Sequence, residues 1–214
     1  MHRIGTSERP DLALAVIVGA GGLGVALARR MANSHRVLLV DIDEARAEAE
    51  AERLRGEGCD ASAWQCDITL AEDLARFSEH LREIGGFQAA VVVAGISPSG
   101  GSFRQIMTVN LHGAALVTDV LRGVARPGNV AILISSMGAH VADPPPEAVE
   151  LLKHPADPSM AAALEEVLGA EGANRTAAYA LSKWGLNLMC RRQVIAWGER
   201  GARIVSLSPG LIAT

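Results

Sequence analysis

Short apolar runs alternate with longer amphipathic segments along most of the chain, a pattern typical of alternating strands and helices. The apolar runs predict strands over Ala13–Val18, Arg36–Val40, Ala61–Cys66, Ala89–Ala94, Asn129–Ile134 and Ala202–Leu207. The segments between them predict helices over Leu23–Asn33, Asp43–Gly56, Thr69–Ile84, Phe103–Arg122 and Thr176–Arg200. In the third of these helices, Thr69 is the expected N-cap and Glu72 the residue that closes a capping box.

Apolar residues fill the predicted strands without alternation. Strands of this kind are buried on both faces, in a parallel sheet that helices cover on each side. A chain of 214 residues suits one domain with one substantial core. The pattern therefore predicts an α/β fold, a Rossmann-type doubly wound parallel sheet in a single domain, whose ligands bind at the carboxyl ends of the strands.

One long segment, about residues 137–175, breaks the alternation. It contains the run Pro144–Pro146 and two helix-like pieces near Glu147–Lys153 and Ser159–Ala170. A connection of this length inside a compact domain is usually functional or flexible. A lid, a contact between subunits and a tolerated surface excursion are the three interpretations left open.

Composition and charge exclude several classes of protein. The sequence is 49% hydrophobic and 21% charged, with a net charge of −4 and a pI of about 5.9. It therefore lacks the basic surface that nucleic acid or an anionic membrane would require. Cys59, Cys66 and Cys190 form an odd set without Cys-x-x-Cys spacing, which favours a reducing compartment and argues against a metal site.

The uncharged run over residues 12–28 is close to the length of a membrane span, and Arg3 and Arg9 precede it as in a signal peptide. Glu8 and Asp11 are unlike a cationic leader, and several glycines interrupt the run. The sequence therefore favours a cytoplasmic protein.

A glycine-rich turn, Gly19–Gly24, follows the first predicted strand and opens the first helix. Gly19 permits a tight turn, Gly21 lets backbone N–H groups approach a pyrophosphate, and Gly24 lets helix and strand pack closely. The N-terminus of the helix attracts the same phosphates. The expected contacts of a dinucleotide in this turn are Gly19, Gly21, Gly22, Leu23 and Gly24.

Two carboxylates extend the predicted nucleotide site. Asp41 ends the second strand, where it can accept hydrogen bonds from an adenosine ribose and repel a 2′-phosphate, which favours NAD(H). Arg46 nearby keeps NADP(H) as an alternative, and Asp41 could instead cap the helix that begins at Asp43. Asp67, just past the third strand, could contact the adenine amino group or form a turn.

Tyr179 and Lys183 stand at i and i+4 of a predicted helix, so their side chains share a face. A lysine charge about 4 Å from a phenol is worth about 1–4 kcal/mol. That interaction lowers a phenol pKa by roughly one to three units, which makes an acid/base near neutral pH. A partly exposed Tyr beside a solvated Lys is the alternative.

Taken in order, several further motifs resemble the classical type of the short-chain dehydrogenase/reductase family. They are Val93-Ala94-Gly95, Val109-Asn110, Ile134-Ser135-Ser136, the Tyr179/Lys183 pair and Ser208-Pro209-Gly210-Leu211-Ile212-Ala213-Thr214. Each lies at a predicted strand end or on a predicted helix, and the resemblance covers nearly the whole chain. It implies an NAD-dependent oxidoreductase that interconverts a secondary alcohol and a ketone or aldehyde.

The resemblance also implies roles for single residues. Tyr179 would exchange a proton with the substrate oxygen, Lys183 would hold the nicotinamide ribose, and Ser136 would hydrogen-bond the substrate oxygen. Asn110 would place a water in a proton relay. Ser135 is the rival for the role of Ser136. The family's pattern adds further cofactor contacts at Ile68, Ala94, Gly95, Pro209, Gly210 and Ile212.

The chain departs from the family pattern at four places. The glycine turn is one residue shorter and Val18 replaces its Thr, while Val93 replaces an Asn. Ser136 and Tyr179 are 43 positions apart, which makes the 137–175 segment an insertion. The sequence stops at Thr214, so the region that forms the substrate loop in the family is expected to be missing.

Two other functions remain open. A non-catalytic dinucleotide sensor on the same fold would explain the altered turn, and an epimerase or dehydratase is a weaker alternative. The resemblance further implies a homodimer or homotetramer that uses the helices Phe103–Arg122 and Thr176–Arg200. His140, at the start of the insertion, could contact substrate or be an exposed loop residue.

Overall fold

The computed structural model describes residues 12–212. The strands are β1 (Leu14–Val18), β2 (Arg36–Asp41), β3 (Ala61–Gln65), β4 (Ala89–Val92), β5 (Val130–Ile134) and β6 (Arg203–Leu207). The helices are α1 (Gly22–Met31), α2 (Glu44–Gly56), α3 (Ala71–Glu83), α4 (Phe103–Met107), α5 (Ala114–Val124), α6 (Pro146–Leu152), α7 (Met160–Gly172) and α8 (Arg175–Gly198).

The strands form one parallel sheet in the order β3-β2-β1-β4-β5-β6. The chain winds outward from β1 to β3 and then crosses to β4 on the other side of β1. Loops that leave β1 and β4 therefore diverge, which opens a cleft at the carboxyl ends of these two strands. The predicted α/β fold with a doubly wound parallel sheet is confirmed.

Alternate residues of the central strands supply two separate cores, because successive side chains of a strand point to opposite faces. Val16 and Val18 of β1 join the larger core, which includes residues of α3, α4, α5 and α8. Ile17 faces the smaller core with the alanines of α1 and α2. Both faces of the central strands β1, β2 and β4 are covered, which explains why these strands are apolar throughout, whereas the edge strand β6 is mostly exposed.

Two local predictions are wrong. Helix α3 begins at Ala71, after Leu70, and no side chain caps it. The hydroxyl of Thr69 instead donates to Asp67 Oδ1 at 2.6 Å. A hydrogen bond to a charged carboxylate is stronger than one between neutral groups. A capping box does occur, but at the start of α4, between Ser102 and Gln105.

The predicted helix over Phe103–Arg122 is not one regular helix. Between α4 and α5 the chain makes a π-helical turn over Thr108–Gly113. An extra residue per turn rotates the side chains that follow, and such turns are frequent at functional sites. Asn110 lies in this turn and is fully buried.

The long segment between Ser136 and Tyr179 folds into a 3₁₀ turn (Met137–His140) followed by α6 and α7. Its apolar residues Leu152, Met160 and Leu164 are buried in the larger core. His112 Nδ1 lies 3.0 Å from the carbonyl oxygen of Pro155. The segment is therefore a packed part of the domain, and it ends at Asn174, the N-cap of α8.

The charged residues before the uncharged run, Arg3, Glu8, Arg9 and Asp11, lie outside the described residues, as do Ala213 and Thr214. Within residues 12–212, no helix has both the length and the apolar character that crossing a membrane requires. The uncharged run over residues 12–28 forms β1, the glycine turn and most of α1.

Candidate active site

A cavity of about 610 Å³ opens at the carboxyl ends of the strands. It runs from the glycine turn and Asp41 at one end to Ser136, Tyr179 and Lys183 at the other. The topology places it at the switch point between β1 and β4, where ligands of doubly wound sheets bind.

The glycine turn is shaped by close backbone contacts. Gly19 has φ +110, and a Cβ on it would lie 2.7 Å from the Ala94 nitrogen. A Cβ on Gly24 would lie 1.8 Å from the Gly19 carbonyl oxygen. At Gly21 and Gly22 a Cβ would meet no atom within 4 Å, so the start of α1 is open toward the cavity.

Asp41 anchors this turn. Its Oδ2 accepts a hydrogen bond from the Ala20 N–H at 2.7 Å, and its Oδ1 accepts from the Asp43 N–H at 3.0 Å. The guanidinium of Arg46 lies 3.9 Å from Oδ1. The N-cap of α2 is Asp43, so Asp41 does not have the capping role considered from the sequence.

Asp67 forms the turn that follows β3. Its Oδ1 accepts from both the N–H and the hydroxyl of Thr69, at 2.9 and 2.6 Å. Its own N–H donates to Asp73 Oδ2 at 2.8 Å. The turn-forming interpretation of Asp67 is therefore correct, and the residue also lines the cavity.

Tyr179 and Lys183 share one face of α8. The Lys183 ammonium lies 5.7 Å from the centre of the Tyr179 ring, within cation–π range. Its Nζ donates to the Ile134 carbonyl oxygen at 2.8 Å. Burial lowers the pKa of Lys183 to about 8, because the charged form loses hydration.

The two serines after β5 point in different directions. Ser135 is 3% exposed, and its hydroxyl donates to the Lys183 carbonyl oxygen at 2.9 Å. Ser136 Oγ accepts from the Gly138 N–H at 3.1 Å. A Cβ on Gly138 would lie 3.5 Å from Ser136 Oγ and 3.9 Å from Tyr179 Cε1, so Ser136 and Tyr179 flank this glycine.

Asn110 supports the loop after β4 rather than facing the cavity. Its Oδ1 accepts from the Ile96 N–H at 2.7 Å, and its Nδ2 donates to the Ile96 carbonyl oxygen at 2.9 Å. A Cβ on Gly95 would lie 3.1 Å from Asn110 Oδ1 and 3.7 Å from Lys183 Nζ. The three residues are therefore neighbours.

The loop after β6 completes the wall. The Met137 N–H donates to the Pro209 carbonyl oxygen at 2.9 Å, and a Cβ on Gly210 would lie 3.6 Å from Met137 Sδ. His140 is exposed, and its Nε2 lies 3.1 Å from Ser208 Oγ.

The structure brings nearly all of the predicted site residues to one cavity; Asn110 and Gly24 lie behind its wall. Sequence reasoning missed several lining residues: Ile42, Cys66, Thr69, Ile96, Ser97 and Pro98. All of them follow the carboxyl end of a strand, so the predicted strand ends were a usable signal. Among the described residues, no group of His, Cys, Asp or Glu could hold a metal ion.

Comparison with known proteins identifies the family. The sequence model of the short chain dehydrogenase family matches residues 13–145. The chain belongs to the short-chain dehydrogenase/reductase family. This match includes the glycine turn, Asn110 and Ser136 and ends before Tyr179. As a member of that family, the chain is an NAD(P)-dependent oxidoreductase that acts on CH–OH donors, which favours an enzyme over a non-catalytic module.

Individual members of the family align over most of the chain. A short-chain dehydrogenase/reductase of Alternaria brassicicola is 30% identical over 205 residues, 93% of this chain and 73% of that protein. A 3-alpha-hydroxysteroid dehydrogenase/carbonyl reductase of Comamonas testosteroni is 30% identical over 209 residues, 95% of this chain and 74% of that protein.

Solved structures share the fold. The 3-alpha-hydroxysteroid dehydrogenase of Pseudomonas sp. B-0831, complexed with NADH, superposes with a TM-score of 0.71 at 23% identity. That alignment covers 92% of this chain and 72% of the other. A short-chain dehydrogenase/reductase of Burkholderia xenovorans gives a TM-score of 0.72 at 23% identity, over 94% and 75% of the two chains.

The cavity suits a nicotinamide dinucleotide, the cofactor of this family. The N-terminus of α1 opens into it, with no side-chain cap and no acidic residue in the first turn. The free N–H groups and the helix dipole there attract a pyrophosphate. The space beside Gly21 and Gly22 is open, and a larger side chain at either position would occupy it.

The contact between α1 and the glycine turn yields a stability prediction. Gly24→Ala places a methyl group against the Gly19 carbonyl and is expected to lower the free energy of unfolding by about 2 kcal/mol or more. Gly22→Ala is the matched control on the same helix, with an expected change within about 0.5 kcal/mol. Urea denaturation measures both, and equal stability of the two variants would contradict the packing argument.

The buried ammonium of Lys183 makes stability depend on pH. Lys183 is protonated in both the folded and the unfolded protein below about pH 8, and it is neutral in both above about pH 10.5. The free-energy penalty for burying its charge is therefore fully present below pH 8. It disappears as the pH rises from about 8 to 10.5. Lys183→Met removes this penalty, which corresponds to about 3 kcal/mol.

The expected result is a variant more stable than the wild type at pH 7, with a difference that shrinks toward pH 10. Denaturant titrations of both proteins without cofactor, across pH 7–10, measure that difference. A stability difference that does not change with pH would show that the Lys183 charge is well solvated in the folded protein.

Proposed function

We propose that the protein is an NAD-dependent dehydrogenase/reductase that interconverts a secondary alcohol and a ketone through Tyr179, Lys183, Ser136 and Asn110. The observation that supports this most directly is the buried Lys183 ammonium 5.7 Å from the Tyr179 ring, at one end of a cavity that suits a dinucleotide. When bound, the nicotinamide supplies or accepts the hydride.

Tyr179 is the proposed acid/base. Its ring is half-buried on α8 beside Gly138, and it lines the cavity, so the hydroxyl can reach a substrate oxygen there. In alcohol oxidation the phenolate form takes the hydroxyl proton of the substrate, and in carbonyl reduction the phenol returns it.

Ser136 is the proposed donor to the substrate oxygen. Because its Oγ accepts the Gly138 N–H, the oxygen is fixed while its own proton stays free to be donated. Ser135 is a poorer candidate for this role, since its proton is already donated to the Lys183 carbonyl. This supports the choice that the family pattern indicated.

Lys183 is proposed to hold the nicotinamide ribose. An ammonium has three N–H donors, and the Ile134 carbonyl takes one of them, which leaves two for ribose hydroxyls. Its positive charge, with a pKa of about 8, is largely retained at pH 7 and lies 5.7 Å from the centre of the Tyr179 ring.

Asn110 is proposed to act in two ways. Its side chain holds the Ile96 loop that lines the cavity, through the hydrogen bonds at both amide atoms. Oδ1 and Nδ2 each make one hydrogen bond to Ile96 and each can make a second, which a water in the proposed relay from Lys183 would take.

NAD(H) is the favoured cofactor. The cavity-lining Asp41 is a carboxylate at the end of β2, where a 2′-phosphate would be repelled. Ile68, Ala94, Pro209 and Ile212 also line the cavity, as the proposed cofactor contacts require. Arg46 is the residue that would favour NADP(H), and its guanidinium lies 3.9 Å from the Asp41 carboxylate.

The substrate is proposed to be a hydrophobic secondary alcohol or ketone that carries a ring. Beside the proposed catalytic residues, Met137 is 60% exposed and Ile212 is 47% exposed, and both present apolar surface. The relative from Comamonas testosteroni is named for hydroxysteroids and carbonyl compounds, which is consistent with such a substrate.

We also infer that residues 137–175 are an insertion that belongs to the substrate side of the domain. We further infer that the protein forms a homodimer or homotetramer and is cytoplasmic. The segment begins beside Ser136 and contacts the π-helical turn before α5 through Pro155 and His112. Farther along α8, Ile195 is 73% exposed, as a subunit contact would need. Cys59, Cys66 and Cys190 are free thiols, which suits a reducing compartment.

The first prediction concerns the acid/base. Tyr179→Phe removes only the hydroxyl and is expected to lower turnover of secondary alcohols by about 10²- to 10⁴-fold. NADH affinity, measured by fluorescence, should stay within about threefold of the wild type because Lys183 and the cavity are unchanged. Ser182→Ala, which removes the hydroxyl that donates to the Tyr179 carbonyl, is the control and should stay active.

The assay uses NAD⁺ with secondary alcohols that range from 2-propanol to cyclohexanol and a 3-hydroxysteroid. Full turnover by the Tyr179→Phe protein would rule out Tyr179 as the acid/base. Binding of NADH without turnover of any alcohol by the wild type would count against dehydrogenase activity on this substrate class.

The second prediction concerns cofactor choice. The wild type is expected to prefer NAD⁺, and Asp41→Asn should reduce the ratio of kcat/KM for NAD⁺ over NADP⁺ by about tenfold, because one repulsive charge is lost. Glu44→Gln is the matched control, since it removes one exposed carboxylate from the first turn of α2 and leaves Asp41 and its contacts unchanged. A wild type that prefers NADP⁺ would overturn the assignment.

A further inference from the structure

Lys183 is joined to the end of β5 by two hydrogen bonds that run in opposite directions. Its side-chain Nζ donates to the Ile134 carbonyl oxygen at 2.8 Å. Its main-chain carbonyl oxygen accepts the hydroxyl proton of Ser135 at 2.9 Å. Ser135 is 3% and Lys183 is 5% exposed, so water competes little with either bond.

Ser135 also connects the end of β5 to the neighbouring strand β6. Its main-chain N–H donates to the Leu207 carbonyl oxygen of β6 at 2.7 Å. One residue therefore contacts β6 through its backbone and α8 through its side chain. The hydroxyl bonds to a carbonyl inside a continuous helix, so it fixes the helix backbone at the position that carries the ammonium.

Besides its hydrogen bond to the Ile134 carbonyl, the Lys183 ammonium has the Tyr179 ring 5.7 Å away as a neighbour. Among the ion pairs of residues 12–212, none involves Lys183, and the Ile134 carbonyl is its hydrogen-bond acceptor. A four-carbon stem with a point charge at its end has many rotamers. Where the ammonium lies therefore depends on the distance between the Lys183 backbone and the end of β5.

We propose that Ser135 is a positioning residue that fixes helix α8 against β5 and so holds the Lys183 ammonium beside Tyr179. The proposal rests on the proposed function, because it assigns to Ser135 a part in placing Lys183. It predicts that losing the Ser135 hydroxyl lets the ammonium leave the Ile134 carbonyl and move toward solvent.

Ser135→Thr and Ser135→Val test this with matched shapes, since the two side chains differ by a hydroxyl in place of a methyl. Both add the same bulk, so a packing defect affects them alike. Ser135→Ala adds no bulk and is compared directly with the wild type, which keeps the test decisive when the larger variants do not fold.

The first readout is independent of activity. Lys153 and Lys183 are the lysines of the sequence, so protein labelled with ¹³C at lysine Cε gives one reference signal and one site signal. In cofactor-free wild type and Ser135→Thr, the Lys183 signal is expected to titrate near pH 8. In Ser135→Val and Ser135→Ala it should titrate at higher pH, because the released ammonium is hydrated.

The second readout is the pH profile of alcohol oxidation with NAD⁺. Removing the hydroxyl is expected to lower kcat by about tenfold to a hundredfold and to shift the acid limb to higher pH, with KM for the alcohol little changed. Ser135→Thr should retain the wild-type profile. If the Ser135 hydroxyl only satisfied the buried Lys183 carbonyl, its removal would lower stability without changing the Lys183 titration or the pH profile of kcat.

Equal Lys183 titrations in the Thr and Val variants, or in Ser135→Ala and the wild type, would overturn the proposal. Tyr179→Phe is measured in parallel to distinguish a failure of the positioning role from a failure of the proposed function. Inactive Tyr179→Phe with unaffected Ser135 variants would refute the positioning role alone, whereas active Tyr179→Phe would refute the proposed function.

Discussion

A lysine ammonium buried between a strand end and a helix is the interaction on which the proposed chemistry depends. Removing such a charge from water is unfavourable, and Lys183 recovers part of that loss through one main-chain carbonyl and the face of an aromatic ring. The same lack of hydration places its pKa at about 8. The charge is therefore poorly screened by water and lies close to Tyr179, which a solvated lysine would not provide.

Backbone packing at the other end of the cavity follows a different principle. There the absence of side chains lets α1, β1 and the loop after β4 approach one another. Gly24 contacts the Gly19 carbonyl, and Gly19 contacts the Ala94 backbone. Asp41 then ties the turn to β2 through the Ala20 N–H. The cavity thus joins a region built of main-chain atoms with a region built of side chains.

The sequence predicted the fold class and most element boundaries to within a few residues, because fully apolar strands and amphipathic helices have different periods. It also predicted many of the residues that line the cavity, since topology brings the carboxyl ends of the strands together. It did not predict that Ser135 bonds to the Lys183 carbonyl, because that contact joins residues 48 positions apart. The sequence pattern also missed the π-helical turn at Asn110, whose side chain hydrogen-bonds to the Ile96 backbone 14 positions earlier.

The folded state of residues 137–174 bears on how this domain could be re-engineered. Because Leu152, Met160 and Leu164 are part of the larger core, excising the segment would open a hole rather than trim a surface loop. Its two ends connect directly to Ser136 and to the first turn of α8, so a shorter replacement would have to preserve the spacing between Ser136 and Tyr179. Diversification for new substrates is better directed at exposed side chains such as Met137 and Val141.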